Sequence, residues 1–149
     1  MILCKIYSQL EQVAVKLQTI TWELLRIVCG VMLVFGHGYG KMFGENAKPF
    51  FGGLDFFGIN LGINMLWVAG FIEFYIGILI ILGLFTRPAA LLTATLMVMA
   101  YLTAHRAWFP TLNGGELAVV YFLIFMAIFA YGPGPWSLDA KLFKKREQK

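Results

Sequence analysis

Charge is what this chain lacks most. Only 13% of its 149 residues are Asp, Glu, Lys or Arg, against roughly 25% in soluble domains. Hydrophobic residues make up 60%, and mean hydropathy is +0.76. A soluble domain of this size has too little interior to hide so much apolar surface. The composition therefore places the chain in a bilayer. Cysteine is scarce as well. Cys4 and Cys29 are the only two, with no C-x-x-C or Cys/His cluster. That sets aside thioredoxin-type dithiol chemistry within the chain, and zinc or iron–sulfur sites. A P-loop and a G-x-G-x-x-G are also missing, so no nucleotide-driven pump is encoded. The apolar runs do not alternate, which excludes barrel strands.

What remains is a set of long apolar runs. A spanning helix needs about 20 mostly apolar residues. Four runs approach that length, near residues 20–41, 61–85, 88–105 and 116–131. Lipid cannot satisfy open backbone groups, so each is expected to be a helix. Thr86-Arg87-Pro88 and Asn113-Gly114-Gly115 break the runs, and Gly132-Pro133-Gly134-Pro135 ends the last one. The loop of residues 42–60, with its FFGGLDFFGIN stretch, is expected in the interface or folded onto the helices. The expected fold class is all-α, an integral membrane four-helix bundle. One side carries Lys5, Lys16, Arg87, Lys141, Lys144, Lys145, Arg146 and Lys149; the other carries Lys41, Lys48 and Arg106. The positive-inside rule puts both termini in the cytoplasm. Residues 1–19 form an expected amphipathic segment on the cytoplasmic surface, with Ile6, Leu10, Val13 and Leu17 at helical spacing. The alternative is that they lengthen the first span. Residues 20–136 form the membrane domain and 137–149 a basic cytoplasmic tail. That tail suits lipid headgroups better than nucleic acid, which is not expected as a partner.

The few polar residues inside the runs carry the functional reading. Arg26, Gly30, Leu33, His37 and Lys41 recur every three or four residues, hence on one helix face. Gly70, Glu73 and Gly77 share a face of the second run. Ala90, Ala94, Met97, Tyr101 and His105 form a stripe on the third, and Glu116 opens the fourth. Glu73 is the most costly of these. A charge at a helix centre costs about 2.5–3.5 kcal/mol on insertion scales. Either Glu73 is neutral, or it is paired with Arg26, His37 or another group. It is a proton or ligand group on one reading and buried polar glue on the other. Lys41 and Arg106 alone could simply snorkel to the interface. Trp67, Trp108 and Trp136 suit aromatic belts.

The ordered motifs R-x3-G…HG-x2-K, E-x3-G, G-L-x-T-R and G-P-G…S-L-D resemble the DoxX family of small bacterial membrane proteins, over about residues 23–139. The polar pattern carried over is Arg26, His37, Lys41, Glu73, Arg87, His105 and Glu116. The family takes its name from a membrane component of a thiosulfate:quinone oxidoreductase. The resemblance thus implies a redox-associated membrane subunit that binds a quinone-like ligand and works with a redox partner protein. Glu73 and His37 are then the expected catalytic pair, Glu73 relaying a proton and His37 donating to a carbonyl. Arg26, Lys41, Met97, Tyr101, His105 and Glu116 are the expected ligand-binding residues, with Met97 and Tyr101 lining the slot. No metal site is expected, although His37 and His105 leave haem ligation open. Two other classes stand beside this reading: a proton-sensitive carrier of a lipid or small solute, and a non-catalytic membrane anchor for a partner protein.

Overall fold

The structure, a computed structural model, describes residues 2–45, 47–52 and 62–143. Apart from an isolated bridge between Phe51 and Ile63, the described residues with regular structure are helical. The first long helix consists of α1 (Ile2–Leu33), a π-helical turn (Val34–Gly38) and α2 (Tyr39–Phe43). The second consists of α3 (Met65–Phe71), a π-helical turn (Ile72–Ile76) and α4 (Gly77–Leu82). α5 (Thr86–Ala104) and α6 (Glu116–Tyr131) follow, separated by a 3-10 turn (Pro110–Asn113). A short α7 (Leu138–Leu142) closes the described chain.

Among the described residues, three helices are long and apolar enough to cross a membrane: Cys4–Phe43, Met65–Leu82 and Thr86–Ala104. The protein is a multi-pass membrane protein. α6 is apolar but has only 16 residues, about 24 Å at the helical rise. Residues 53–61, most of the aromatic loop, lie outside the described residues, as do residues 144–149 of the basic tail. α1 passes residues 19 and 20 without a break, and every side chain from Cys4 to Thr21 is exposed.

One core joins the four long helices. It contains Cys29 and Leu33, then Ile80, then Ala89, Ala90, Ala94 and Met97, then Tyr121, Phe125 and Ile128. Small residues on α5 let α6 approach closely and receive its large ones, the usual solution where lipid supplies no hydrophobic drive between helices. The outside is apolar too: Leu24, Val28, Phe35, Leu91, Leu92, Leu117 and Leu123 are all exposed.

Local chemistry makes the turns. Gly83 ends α4 at φ +65, with Gly83 N–H on the Ile80 carbonyl and Leu84 N–H on the Leu79 carbonyl. This is a Schellman motif, and it needs the left-handed residue that glycine adopts freely. α5 starts two residues later without a cap from its own chain end. Asp139 supplies one, accepting from the backbone N–H of Phe85 and of Thr86, each at 2.8 Å. A carboxylate at a helix N-terminus meets unpaired donors and the positive dipole end.

Candidate functional site

Glu73 lies in the second π-helical turn, and His37 lies in the first. The two turns face each other where the long helices cross. Gly38 makes the crossing possible: a Cβ there would lie 2.5 Å from Phe74 N and 2.8 Å from Glu73 C. Gly70 does the same for Lys41, whose Cβ would be 2.7 Å from an added methyl. Gly30 and Gly77 keep the helices close further along, against Ile81 and Val34. π-turns insert a residue into the helix register and are frequent at functional sites.

The crossing brings Lys41 over Glu73. The Lys41 ammonium donates to both carboxylate oxygens, at 2.6 and 2.7 Å. The Glu73 side chain is 5% exposed and that of Lys41 is 34%. Glu73 is thus paired, and its partner is the lysine nearest the helix end. Charge-assisted bonds of this length are strong, and they offset the burial of the carboxylate.

Beside the pair, the half-buried His37 ring meets Tyr121 edge-on, with centroids 6.0 Å apart. Tyr121 is 4% exposed and stacks on Phe125. Its hydroxyl has no hydrogen-bond partner among the described residues. A buried hydroxyl left unpaired costs free energy and calls for an explanation.

The other expected site residues go elsewhere. Arg26 does not reach Glu73. Its Nη2 donates to Glu23 at 2.6 Å, and its Nη1 donates to the Ile80 and Ile81 carbonyls at 2.7 and 2.6 Å. Arg26 therefore caps the C-terminal end of α4, where unpaired carbonyls and the negative dipole end attract a cation. Tyr101 donates to the Ala107 carbonyl at 2.6 Å, and His105 Nδ1 lies 2.8 Å from the Asn113 carbonyl. Both side chains hold the loop between α5 and α6. No hydrogen bond or ring contact joins His105 to His37 among the described residues. Glu116 is exposed in the first turn of α6. Met97 is buried in the core, and with Tyr101 it borders a crevice of about 110 Å³. Ligand pockets are usually about 300–1,000 Å³, and this crevice is smaller.

A second polar centre lies at the opposite end. Glu23 is fully buried and accepts from Arg26 and from the Trp136 backbone N–H at 2.7 Å. Trp22 donates to the Gly132 carbonyl, and Ser137 donates to the Gly134 carbonyl. Gly83 and Gly134, both at positive φ, leave no room for a side chain beside Ser137 and Glu23. The GPGPWSLD stretch is thereby folded back over the α4–α5 turn. Glu23, Tyr121, Ser137 and Asp139 were not singled out from the sequence. Glu23 had a usable signal, since it stands three residues before Arg26 on the same face. Tyr121 had none.

The sequence pattern of the DoxX family matches residues 21–106. The chain belongs to the DoxX family. That stretch contains both partners of each ion pair, while Tyr121, Trp136 and Ser137 lie beyond it. An uncharacterized protein of Haemophilus influenzae is 44% identical over 126 residues, covering 81% of this chain and 90% of the relative. No solved structure matches.

Proposed function

We propose that this DoxX protein is a four-span subunit of a quinone-linked redox system in a bacterial inner membrane, with both termini in the cytoplasm. In this reading α6 is the fourth span, and a quinone-like ligand docks its head beside Lys41, Glu73, His37 and Tyr121. The observation that carries the reading is the Tyr121 hydroxyl, buried and unpartnered where His37 packs against its ring. His37 likewise makes no hydrogen bond among the described residues. A ligand carbonyl would satisfy either donor. Lys41 is the accessible member of its pair, so a ligand from the lipid meets its ammonium first. Reduction of a quinone consumes protons along with electrons. Glu73, held by Lys41, is placed to pass a proton once that pairing loosens. The electrons come from a partner protein.

The test is extraction of the purified protein for bound quinone, with a reduced-minus-oxidised spectrum of the same sample. Wild type retains quinone; Tyr121→Phe and Glu73→Gln lose it while keeping their fold. Equal retention in all three proteins would remove the site. A second reading, the anchor for a partner protein, is favoured by α1. Its exposed stripe of Ile6, Leu10, Val13 and Leu17 lies beyond the helix packing, available to a partner or to the membrane surface. Loss of complex formation on Leu10→Lys, with quinone retention unchanged, would favour it.

A further inference from the structure

The α4–α5 turn, the GPGP segment and the end of α7 enclose a cleft of about 250 Å³. Phe85, Pro88, Pro133 and Phe143 form its walls, and the Phe85 and Phe143 rings lie 6.0 Å apart. Arg87 and Asp139 stand at its edge. The two charges differ in what they have left to offer. Both Asp139 oxygens are taken by the first turn of α5. Arg87 uses only Nη1, on the Phe129 and Ala130 carbonyls at 2.6 and 3.1 Å. Its Nε and Nη2 carry no hydrogen bond among the described residues, and the side chain is exposed.

The cleft also has a definite depth. Trp22 meets Tyr131 edge-on at this end of the helices, and Tyr131 and Trp136 are both exposed. Aromatic residues collect at the level of lipid headgroups. Lys141 is exposed on α7, and Lys144, Lys145 and Arg146 follow Phe143 in the sequence. The place thus combines an apolar slot and a guanidinium with free donors, with the exposed Lys141 nearby and the exposed aromatics Tyr131 and Trp136 at the same end of the helices. The slot is below the usual size of a whole-ligand pocket. It suits one portion of a chain whose remainder lies in the membrane.

We propose that this cleft binds an anionic phospholipid. The first carbons of an acyl chain lie among Phe85, Pro88, Pro133 and Phe143. The phosphate takes the free Arg87 donors, in the planar geometry that favours arginine over lysine for this group. Lys141 adds attraction without direct contact. The site is separate from the Lys41–Glu73 centre and does not depend on a quinone being bound there.

Native mass spectrometry of the full chain in mild detergent tests the proposal, with phosphatidylglycerol and phosphatidylcholine of matched acyl chains as probes. Wild type retains phosphatidylglycerol in preference to phosphatidylcholine. Arg87→Gln lowers phosphatidylglycerol affinity about fivefold, the effect of one basic residue near the surface, and phosphatidylcholine affinity by less, because the choline cation already offsets the charge of that lipid's phosphate. Phe143→Ser lowers both. Arg106→Gln, a surface arginine from the α5–α6 loop, changes neither. Because Arg87 also caps α6, Phe143→Ser is the variant that separates lipid loss from misfolding. Equal retention of the two lipids by wild type would overturn the proposal. So would undiminished retention by a folded Phe143→Ser protein, or equal effects of Arg87→Gln and Arg106→Gln.

Discussion

Two carboxylates are buried among the described residues, and they are kept in opposite ways. Glu23 is enclosed: it is 0% exposed, and so nearly is its partner Arg26 at 1%. Its oxygens meet a guanidinium and a backbone N–H, and Arg26 also grips two carbonyls of another helix. Glu73 is enclosed on one side only. Its single partner among the described residues, Lys41, is 34% exposed. Its backbone sits in a π-turn, where the helix ladder is already disturbed. The first pair ties three chain segments together. The second is an ion pair that an incoming ligand could reach and loosen. Two ion pairs with nearly the same bond length thus differ in everything around them, and that surrounding chemistry separates a structural pair from a candidate site.

This contrast can be broken most easily at Arg26. Arg26→Ala leaves the buried Glu23 carboxylate without its guanidinium partner, which costs about 3–5 kcal/mol for a buried pair. Unfolding titration in detergent measures it. Lys41→Ala is expected to cost clearly less, because its pair is open to the surroundings; the reverse order would erase the distinction. Next comes Gly38→Ala, which forces a methyl against the Glu73–Phe74 backbone and costs about 1–3 kcal/mol by overpacking. Gly36→Ala is its control, since a Cβ there meets nothing within 4 Å. That change stabilises by up to about 1 kcal/mol through helix propensity. Similar melting shifts for the two glycines would show that the crossing is loosely packed.

Asp139→Ala removes the cap of α5, at a cost of about 1 kcal/mol. It should also raise hydrogen exchange at the Phe85 and Thr86 amides, leaving the Glu73 side of the molecule unaffected. Tyr121→Phe has the smallest stability effect. Its hydroxyl makes no bond, so removal is neutral or stabilising by about 1 kcal/mol. A loss of more than that would mean that the hydroxyl is bonded, and would weaken the ligand reading of the Lys41–Glu73 centre.

Much of the helix packing was legible from spacing alone. Arg26, Gly30 and Leu33 form a buried face as their periodicity implies, with His37 and Lys41 half-buried at its end. Gly70, Glu73 and Gly77 are buried together, as are Ala90, Ala94 and Met97. Helical geometry is local, so residues three and four apart share a face whatever the rest of the chain does. The site was less legible. The stripe offered Glu73 Arg26 or His37 as named partners along one helix, with Lys41 further along the same face. Nothing in spacing says at which level a second helix crosses. Tyr101 and His105 stood at the end of a plausible stripe, yet backbone carbonyls of the following loop claimed them. Asp139, at the far end of the chain, became the cap of α5.

By itself, then, the sequence determined that this protein lives in a membrane, where its long helices lie and which of their faces turn inward. Those properties depend on hydropathy, length and the helical repeat, which neighbouring residues decide among themselves. Only the tertiary structure decided that Lys41 rather than Arg26 holds Glu73, that Arg26 belongs with Glu23, and that the Tyr121 hydroxyl has no partner among the described residues. The physical reason is reach. A salt bridge forms within a few ångströms, and the level at which two helices meet is set by where glycines such as Gly38 let their backbones touch.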